Sequence, residues 1–312
     1  MKIEVDILKI GILGAGAMGC LFGGSLLLGG SDITLILRNK SKVSSLKKYG
    51  LKMILNNKKQ TVYPKALSVY DKCFFDIIII FTKTNDTVSA LKTIKQSLDS
   101  KTVLMSLQNG LNNQAILSRF VSKSKIIYGT TMAPADLIRP FEVSSHGEHK
   151  TELKPTGNFS KKHAEYINLQ LNNSGLNSSI NQNVDETIWH KVAFNSAMNS
   201  ICALIERTPN HISSNMKLKT FAENVAEETC KVANLNGVKI DSNLVKQTID
   251  FSCKEHGNHK PSMLQDIIAK KRTEIDTLNG AVVKFGLKFK YNTPLNNALL
   301  NLIKAKEKNY SK

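Results

Sequence analysis

Along this chain the rhythm of apolar and polar positions changes once, near residue 184. From residue 7 to about 130, short apolar runs alternate with amphipathic stretches, as a parallel sheet with crossover helices requires. Runs at 7–13, 33–37, 74–81, 103–107 and 126–132 predict strands, and the nearly unbroken run 74–81 predicts one covered on both faces. Helices are expected over 20–28 and 40–49, with two short strands near 51–55 and 60–64. Between 142 and 153 the pattern shortens into a predicted hairpin around Gly147, followed by a helix over 161–172 and a strand over 176–180. Beyond 184 helical periodicity takes over, at 185–205, 218–234, 242–253, 263–285 and 295–307, the fourth open to a break. The predicted fold class is α/β, with an N-terminal Rossmann-type dinucleotide-binding domain (1–183) followed by an all-α C-terminal domain (184–312). Asn181-Gln182-Asn183 is the uncommitted joint.

The first strand runs into Gly14-Ala15-Gly16-Ala17-Met18-Gly19 and then into the first helix. In that context the three glycines form a dinucleotide fingerprint. Gly14 makes the tight turn, Gly16 lets a pyrophosphate approach the backbone, and Gly19 lets helix and strand pack closely. The helix N-terminus then attracts the anion. At the end of the second strand an acidic residue would hold a ribose 2′-hydroxyl, whereas an arginine accommodates a 2′-phosphate. Arg38 stands there, followed by Asn39, Lys40 and Lys42, so NADP (NADPH) is preferred over NAD, against a reading in which Arg38 merely solvates a strand end.

Composition narrows the class further. The 312 residues, 41% of them hydrophobic, suggest about two globular cores. No long uncharged apolar run and no signal-peptide pattern is present, so a cytoplasmic protein without a membrane partner is expected. Five scattered cysteines read as reduced thiols. The net charge of +18 raises the question of nucleic acid, but the lysines are dispersed, with no basic run or aromatic platform, and no nucleic-acid partner is expected. No metal is expected either. His146 and His149 lie on a predicted strand whose alternation sends neighbouring side chains to opposite faces.

Several polar groups punctuate the apolar pattern. Lys83 follows the strand at 74–81, and Asn109 follows that at 103–107, where ligands of open α/β sheets bind. Lys191, Asn195 and Asn199 recur every four residues on one helical face. Either this row is buried and finds polar partners or it is a solvated face. Ser262 with Gln265 has the form of a capping box, and a helix N-terminus with a serine hydroxyl is also a seat for a carboxylate. Thr293-Pro294 reads as a capping hydroxyl followed by proline at the first helical position. Nothing in the residues alone selects Glu274 over Asp276.

Together the glycine fingerprint, Lys83, Gln108-Asn109-Gly110, Trp189-x-Lys191-x-x-x-Asn195-x-x-x-Asn199, Pro261-Ser262-Met263-Leu264-Gln265-Asp266, Thr273-Glu274-Ile275-Asp276-x-x-Asn279-Gly280 and Thr293-Pro294-x-Asn296 resemble the ketopantoate reductases, or 2-dehydropantoate 2-reductases, over almost the whole chain. Lys154-Pro155 departs from the glycine-rich ending expected of that family. The resemblance implies NADPH-dependent reduction of 2-dehydropantoate to pantoate, on the route to pantothenate and coenzyme A. It implies Lys191 as general acid and Glu274 as the residue orienting substrate or lysine, also close to the cofactor. Asn195 and Asn199 would bind substrate, Ser262 its carboxylate, and Asn109 the region between nicotinamide and ketone. Gly14, Ala15, Gly16, Ala17, Met18, Gly19, Arg38, Lys83 and the backbone of Ala133 would hold the cofactor. The alternatives are a reductase of another branched 2-oxo acid and a non-catalytic NADP-binding sensor. A homodimer is compatible with the sequence and not fixed by it.

Overall fold

A computed structural model describes residues 7–311. Two compact units emerge: residues up to Gln108 together with Asn113–Val184, and Asn109–Asn112 together with the chain from Asp185.

The first unit contains, in chain order, β1 (Lys9–Leu13), α1 (Ala17–Leu28), β2 (Asp32–Leu37), α2 (Lys40–Tyr49), β3 (Leu51–Leu55), β4 (Lys58–Val62), β5 (Lys65–Ser68), β6 (Ile77–Ile80), α3 (Thr84–Thr93), β7 (Val103–Ser106), α4 (Asn113–Leu117), β8 (Ile126–Thr131), β9 (Asp136–Arg139), β10 (Glu142–Ser145), β11 (Thr151–Pro155), α5 (Asn158–Asn173) and β12 (Ser178–Ile180). Its main sheet has the order β12-β11-β8-β7-β6-β1-β2-β5. All neighbours run parallel except β11 against β8. Alternation within the central strands explains why they are apolar throughout. In β1 and β6, Ile10, Ile12, Ile77 and Ile79 enter one core, whereas Leu13, Ile78 and Ile80 enter the core on the other face. A parallel sheet covered on both sides requires this.

Three departures from the sequence pattern have local causes. β6 starts at Ile77 rather than at 74, because Phe74 faces outward and the Asp76 carboxylate accepts from the Lys9 amide at 2.8 Å. β5, only four residues long and beginning with lysine, shows no apolar run and was not anticipated. Gly147 does not turn a hairpin. The hairpin is β9–β10, turning at Pro140-Phe141, and β10 and β11 belong to different sheets.

The second unit is helical: α6 (Val184–Ile205), α7 (Pro209–Ser213), α8 (Met216–Leu235), α9 (Ser242–Glu255), α10 (Ser262–Ile268), α11 (Asn279–Lys288) and α12 (Pro294–Lys308). The expected helix at 263–285 is broken, and Glu274 sits in the turns between α10 and α11. The Thr293 side chain does not cap α12. A buried carboxylate does so instead: Glu228 of α8 accepts from the amides of Leu295 and Asn296 at 3.2 and 2.9 Å. A negative charge at a helix N-terminus satisfies open amides and complements the helix dipole. Asn296 donates to Glu228 at 2.8 Å, and Asn279 donates both to Asn296 Oδ1 and to the Ser196 carbonyl at 3.0 Å. Ser200 donates to Asn279 Oδ1 at 2.6 Å. This buried polar chain fixes α6 against α11, α12 and α8, and the Glu228, Asn296, Asn279 and Ser200 side chains in it are all paired, as buried polar groups generally are.

Candidate active site

The fingerprint loop occupies the carboxyl end of β1. Gly14 has φ +104°, and a Cβ there would lie 2.8 Å from the Thr82 nitrogen. A Cβ at Gly19 would fall 1.9 Å from the Gly14 carbonyl oxygen. Gly16 differs from both. It is the N-cap of α1, no side chain caps that helix, and the space where its Cβ would stand is open. An open backbone at the N-terminus of a 12-residue helix with no acid in its first turn suits a pyrophosphate.

A cleft of about 770 Å³ adjoins the loop, lined by Gly14, Ala15, Gly16 and, from the end of β2 onward, Arg38, Asn39, Lys40 and Lys42. Asn39 caps α2, its side chain accepting from the Ser41 amide at 2.8 Å. The cap turns the chain so that three cations cluster at the strand end with no acidic residue in the first turn of α2. Tyr70, Leu137 and Pro140 also line this cleft. Sequence reading missed them, since Tyr70 follows the unanticipated β5 and the other two belong to the unexpected β9–β10 hairpin. These residues fit a dinucleotide carrying an extra phosphate on its adenosine ribose.

At the next two strand ends, Gln108 Nε2 donates to the Thr82 carbonyl at 2.5 Å and to Thr87 Oγ1 at 2.8 Å. The loop after β7 is thereby tied to the loop after β6, which carries Lys83 at the N-cap of α3. Ala133 follows β8, its amide donating to Thr131 Oγ1 at 3.2 Å. His149 engages both ring nitrogens, with Ser145 Oγ at 2.8 Å and the Gly175 carbonyl at 3.2 Å.

In the second unit the polar row of α6 is not a solvated face. Asn195 and Asn199 are 7% and 6% exposed, among Ala193, Ala197 and Met198 of the core. Lys191 is half-buried, and its ammonium is pushed down to about 8 by burial, with the Glu274 carboxylate pulling it back up. Of the two acids at this turn, the Glu274 charge favours the Lys191 ammonium, whereas Asp276 is committed to Lys304 at 2.6 Å and Arg272 at 3.2 Å. Asn109 opens a short segment of the same unit. There the Leu111 amide donates to the Thr277 carbonyl at 3.2 Å, so this segment adjoins the Glu274 turn.

Ser262 is an exposed residue in the first turn of α10, not its cap. Pro261 takes the cap position, and the capping box does not form because Gln265 Nε2 donates to the Lys260 carbonyl at 2.9 Å. His190, next to Lys191, makes its own contact with Thr248 Oγ1 at 3.3 Å.

A glycine loop at the end of a parallel strand, a cationic corner beyond the second strand, and a desolvated lysine whose charge a nearby carboxylate favours are the features of a nicotinamide-dependent oxidoreductase. Comparison with known proteins sharpens that class. The family described as Ketopantoate reductase PanE/ApbA matches residues 10–158, and its C-terminal counterpart matches residues 183–307. The 2-dehydropantoate 2-reductase of Pyrococcus abyssi is 35% identical over 305 residues, 96% of this chain and 98% of the relative. That of Lactococcus lactis subsp. lactis is 31% identical over 306 residues, with the same coverage. The chain belongs to the ketopantoate reductase family. Among solved structures, a ternary complex of D-mandelate dehydrogenase with NADH and anilino(oxo)acetate is 29% identical, with a TM-score of 0.92, covering 98% of this chain and 100% of the other. No helix among the described residues is long and apolar enough to cross a membrane.

Proposed function

We propose that this protein reduces 2-dehydropantoate to pantoate with NADPH, a cytoplasmic step toward pantothenate and coenzyme A. The observation that carries the proposal is Lys191, a desolvated ammonium whose charge Glu274 favours, in a chain similar to 2-dehydropantoate 2-reductases over 96% of its length. In this reading, residues 1–183 form the cofactor domain and 184–312 the substrate and catalytic domain.

Bound NADPH supplies the hydride. As the ketone oxygen gains negative charge, the Lys191 ammonium stabilises it and delivers a proton to it. Glu274 keeps enough positive charge on the lysine for this near neutral pH. Asn195 and Asn199 hydrogen-bond the substrate from the same helical face, Ser262 meets its carboxylate, and Asn109 orients the reacting carbonyl. Gly14 to Gly19, Arg38, Lys83 and the Ala133 backbone hold the cofactor, with Glu274 and Asn109 near its reactive end. A substrate-dependent fall in NADPH absorbance with 2-dehydropantoate tests the proposal, and no turnover with this acid would end it.

A second reading is favoured by one observation. The D-mandelate dehydrogenase structure, solved with NADH and anilino(oxo)acetate, is as similar in sequence as several reductase relatives, at 29% against 28% identity. A panel of branched and aromatic 2-oxo acids ranked by kcat/KM separates the two readings. 2-Dehydropantoate is expected to rank first.

Cofactor choice follows from the cationic corner. Charge-assisted hydrogen bonds to a 2′-phosphate contribute about 1.5–3 kcal/mol, or roughly ten- to hundredfold in affinity. KM for NADPH is therefore expected to fall below that for NADH by about this factor, and Arg38→Ala to erase much of the gap. Equal KM values in the unaltered enzyme would remove the inference. For substrate, Ser262→Ala is expected to raise KM more than it lowers kcat, because the exposed hydroxyl serves binding. A variant with lowered kcat and unchanged KM would move Ser262 into the chemical step.

A further inference from the structure

The turn carrying Glu274 is not held by a helix of its own. It lies between α10 and α11, and its backbone closes on itself: the amides of Thr277 and Leu278 donate to the Glu274 carbonyl at 3.0 and 3.2 Å. The Thr277 hydroxyl donates to the same oxygen at 3.1 Å. Such a turn fixes its own shape but not its place in the unit. Ile275 and Leu278 seat it in the core, and the residue before Glu274 ties it to α12. Thr273 is fully buried, and both its amide and its hydroxyl donate to Glu307 Oε1, at 2.7 and 2.6 Å. Its hydroxyl also accepts from the Ile275 amide at 3.2 Å, so Glu307 and Ile275 bracket Glu274 through one side chain. Glu307 lies 33 positions away in sequence, in the last turn of α12.

We propose that Glu307 is a positioning residue for the reaction, setting the Glu274 carboxylate relative to Lys191 through its paired hydrogen bonds to Thr273. This inference rests on the reading of Lys191 and Glu274 as the proton-delivering pair. Two charge-assisted bonds on one buried residue fix both its position and its orientation, and Glu274 is the next residue. Asp276, two residues further on, is held to the same helix by Lys304 at 2.6 Å. The C-terminal end of α12 therefore grips the turn on both sides of Glu274. Nothing in the chemistry requires Glu307 to touch substrate or cofactor.

The test compares Glu307→Ala, Glu307→Gln and Glu274→Gln in the full-length enzyme, with NADPH and 2-dehydropantoate as probes. In Glu307→Ala, Glu274 drifts from Lys191 and supports its charge less. The expected results are a fall in kcat of about tenfold or more, an alkaline limb of the kcat profile displaced to lower pH, and an unchanged NADPH Kd. Glu307→Gln retains a carbonyl oxygen that accepts from both Thr273 groups, so it is expected to restore most of the rate and return the limb toward its original position. A folded Glu307→Ala enzyme with unaltered rate and limb overturns the proposal. So does a rate loss that glutamine fails to restore and that comes without displacement of the limb. If Glu307→Ala does not fold, the glutamine variant and Thr273→Val, which removes one of the two bonds, carry the same comparison. Glu274→Gln separates the levels: if it too is neutral, the pairing with Lys191 is wrong, whereas a slow Glu274→Gln enzyme beside a normal Glu307→Ala enzyme rejects Glu307 alone.

Discussion

Replacing Lys191 by alanine is expected to lower kcat by about 10²- to 10⁴-fold, the range for losing a positioned general acid, with little change in NADPH affinity. The cofactor loop lies in the other unit and makes its own anion site, so Kd measured by NADPH fluorescence reports folding and binding independently of the chemical step. The pH profile adds a sharper check. A general acid must enter the reaction protonated, and burial lowers the Lys191 pKa to about 8 from its ordinary 10.5, even with Glu274 opposing the shift. The rate of the unaltered enzyme is therefore expected to hold below about pH 8 and to decline above it as the ammonium loses its proton. In the alanine variant this limb should vanish. Near-normal turnover without Lys191 would falsify the assignment, and an alkaline limb centred near the ordinary lysine value would contradict the desolvation argument while sparing the residue.

Much of this architecture could be read from the chain because its strongest signals are local. The apolar runs of β1, β2, β6, β7 and β8 lie in the centre of a sheet buried on both faces, where the backbone needs no polar alternation and the text shows it. The three glycines likewise announce themselves: contacts within a short stretch or with the next strand end demand Gly14 and Gly19, while Gly16 keeps the backbone open at the start of α1. What stayed hidden depends on partners distant in sequence. Glu228 caps a helix 67 positions later, a role that no local pattern can announce, while Thr293, which has the right form for a cap, is bypassed. The same holds for the Lys191 row. Periodicity places its three residues on one face, but only packing buries Asn195 and Asn199, and only the fold distinguishes Glu274 from Asp276. Short strands with polar ends, such as β5, escape for the opposite reason: they lie at a sheet edge, where burial demands little of the sequence.

Gly16 and Gly19, three residues apart in the fingerprint, should differ in what the same substitution does to the unliganded protein, and the contrast tests the cofactor site without any substrate. Gly19→Ala places a methyl group 1.9 Å from the Gly14 carbonyl oxygen. Backbone cannot yield as a flexible side chain can, so α1 must shift away from β1. Overpacking of this kind costs about 1–3 kcal/mol, which for a protein of this size lowers Tm by roughly 2–4 °C per kcal/mol. The loop distorts with the helix, and NADPH should no longer raise Tm. Gly16→Ala adds its methyl to open space on a backbone of ordinary negative φ, −76°. The protein alone should melt almost as before, because the smaller entropy of the unfolded chain offsets the poorer cap. The methyl group would nevertheless stand where a pyrophosphate must approach the N-terminus of α1, so NADPH stabilisation should be lost in this variant as well. Thermal melts of both variants with and without NADPH decide the matter. A Gly16→Ala protein that binds NADPH as tightly as the original would mean that the phosphates do not pass over this glycine, and the cofactor would have to be seated elsewhere in the unit.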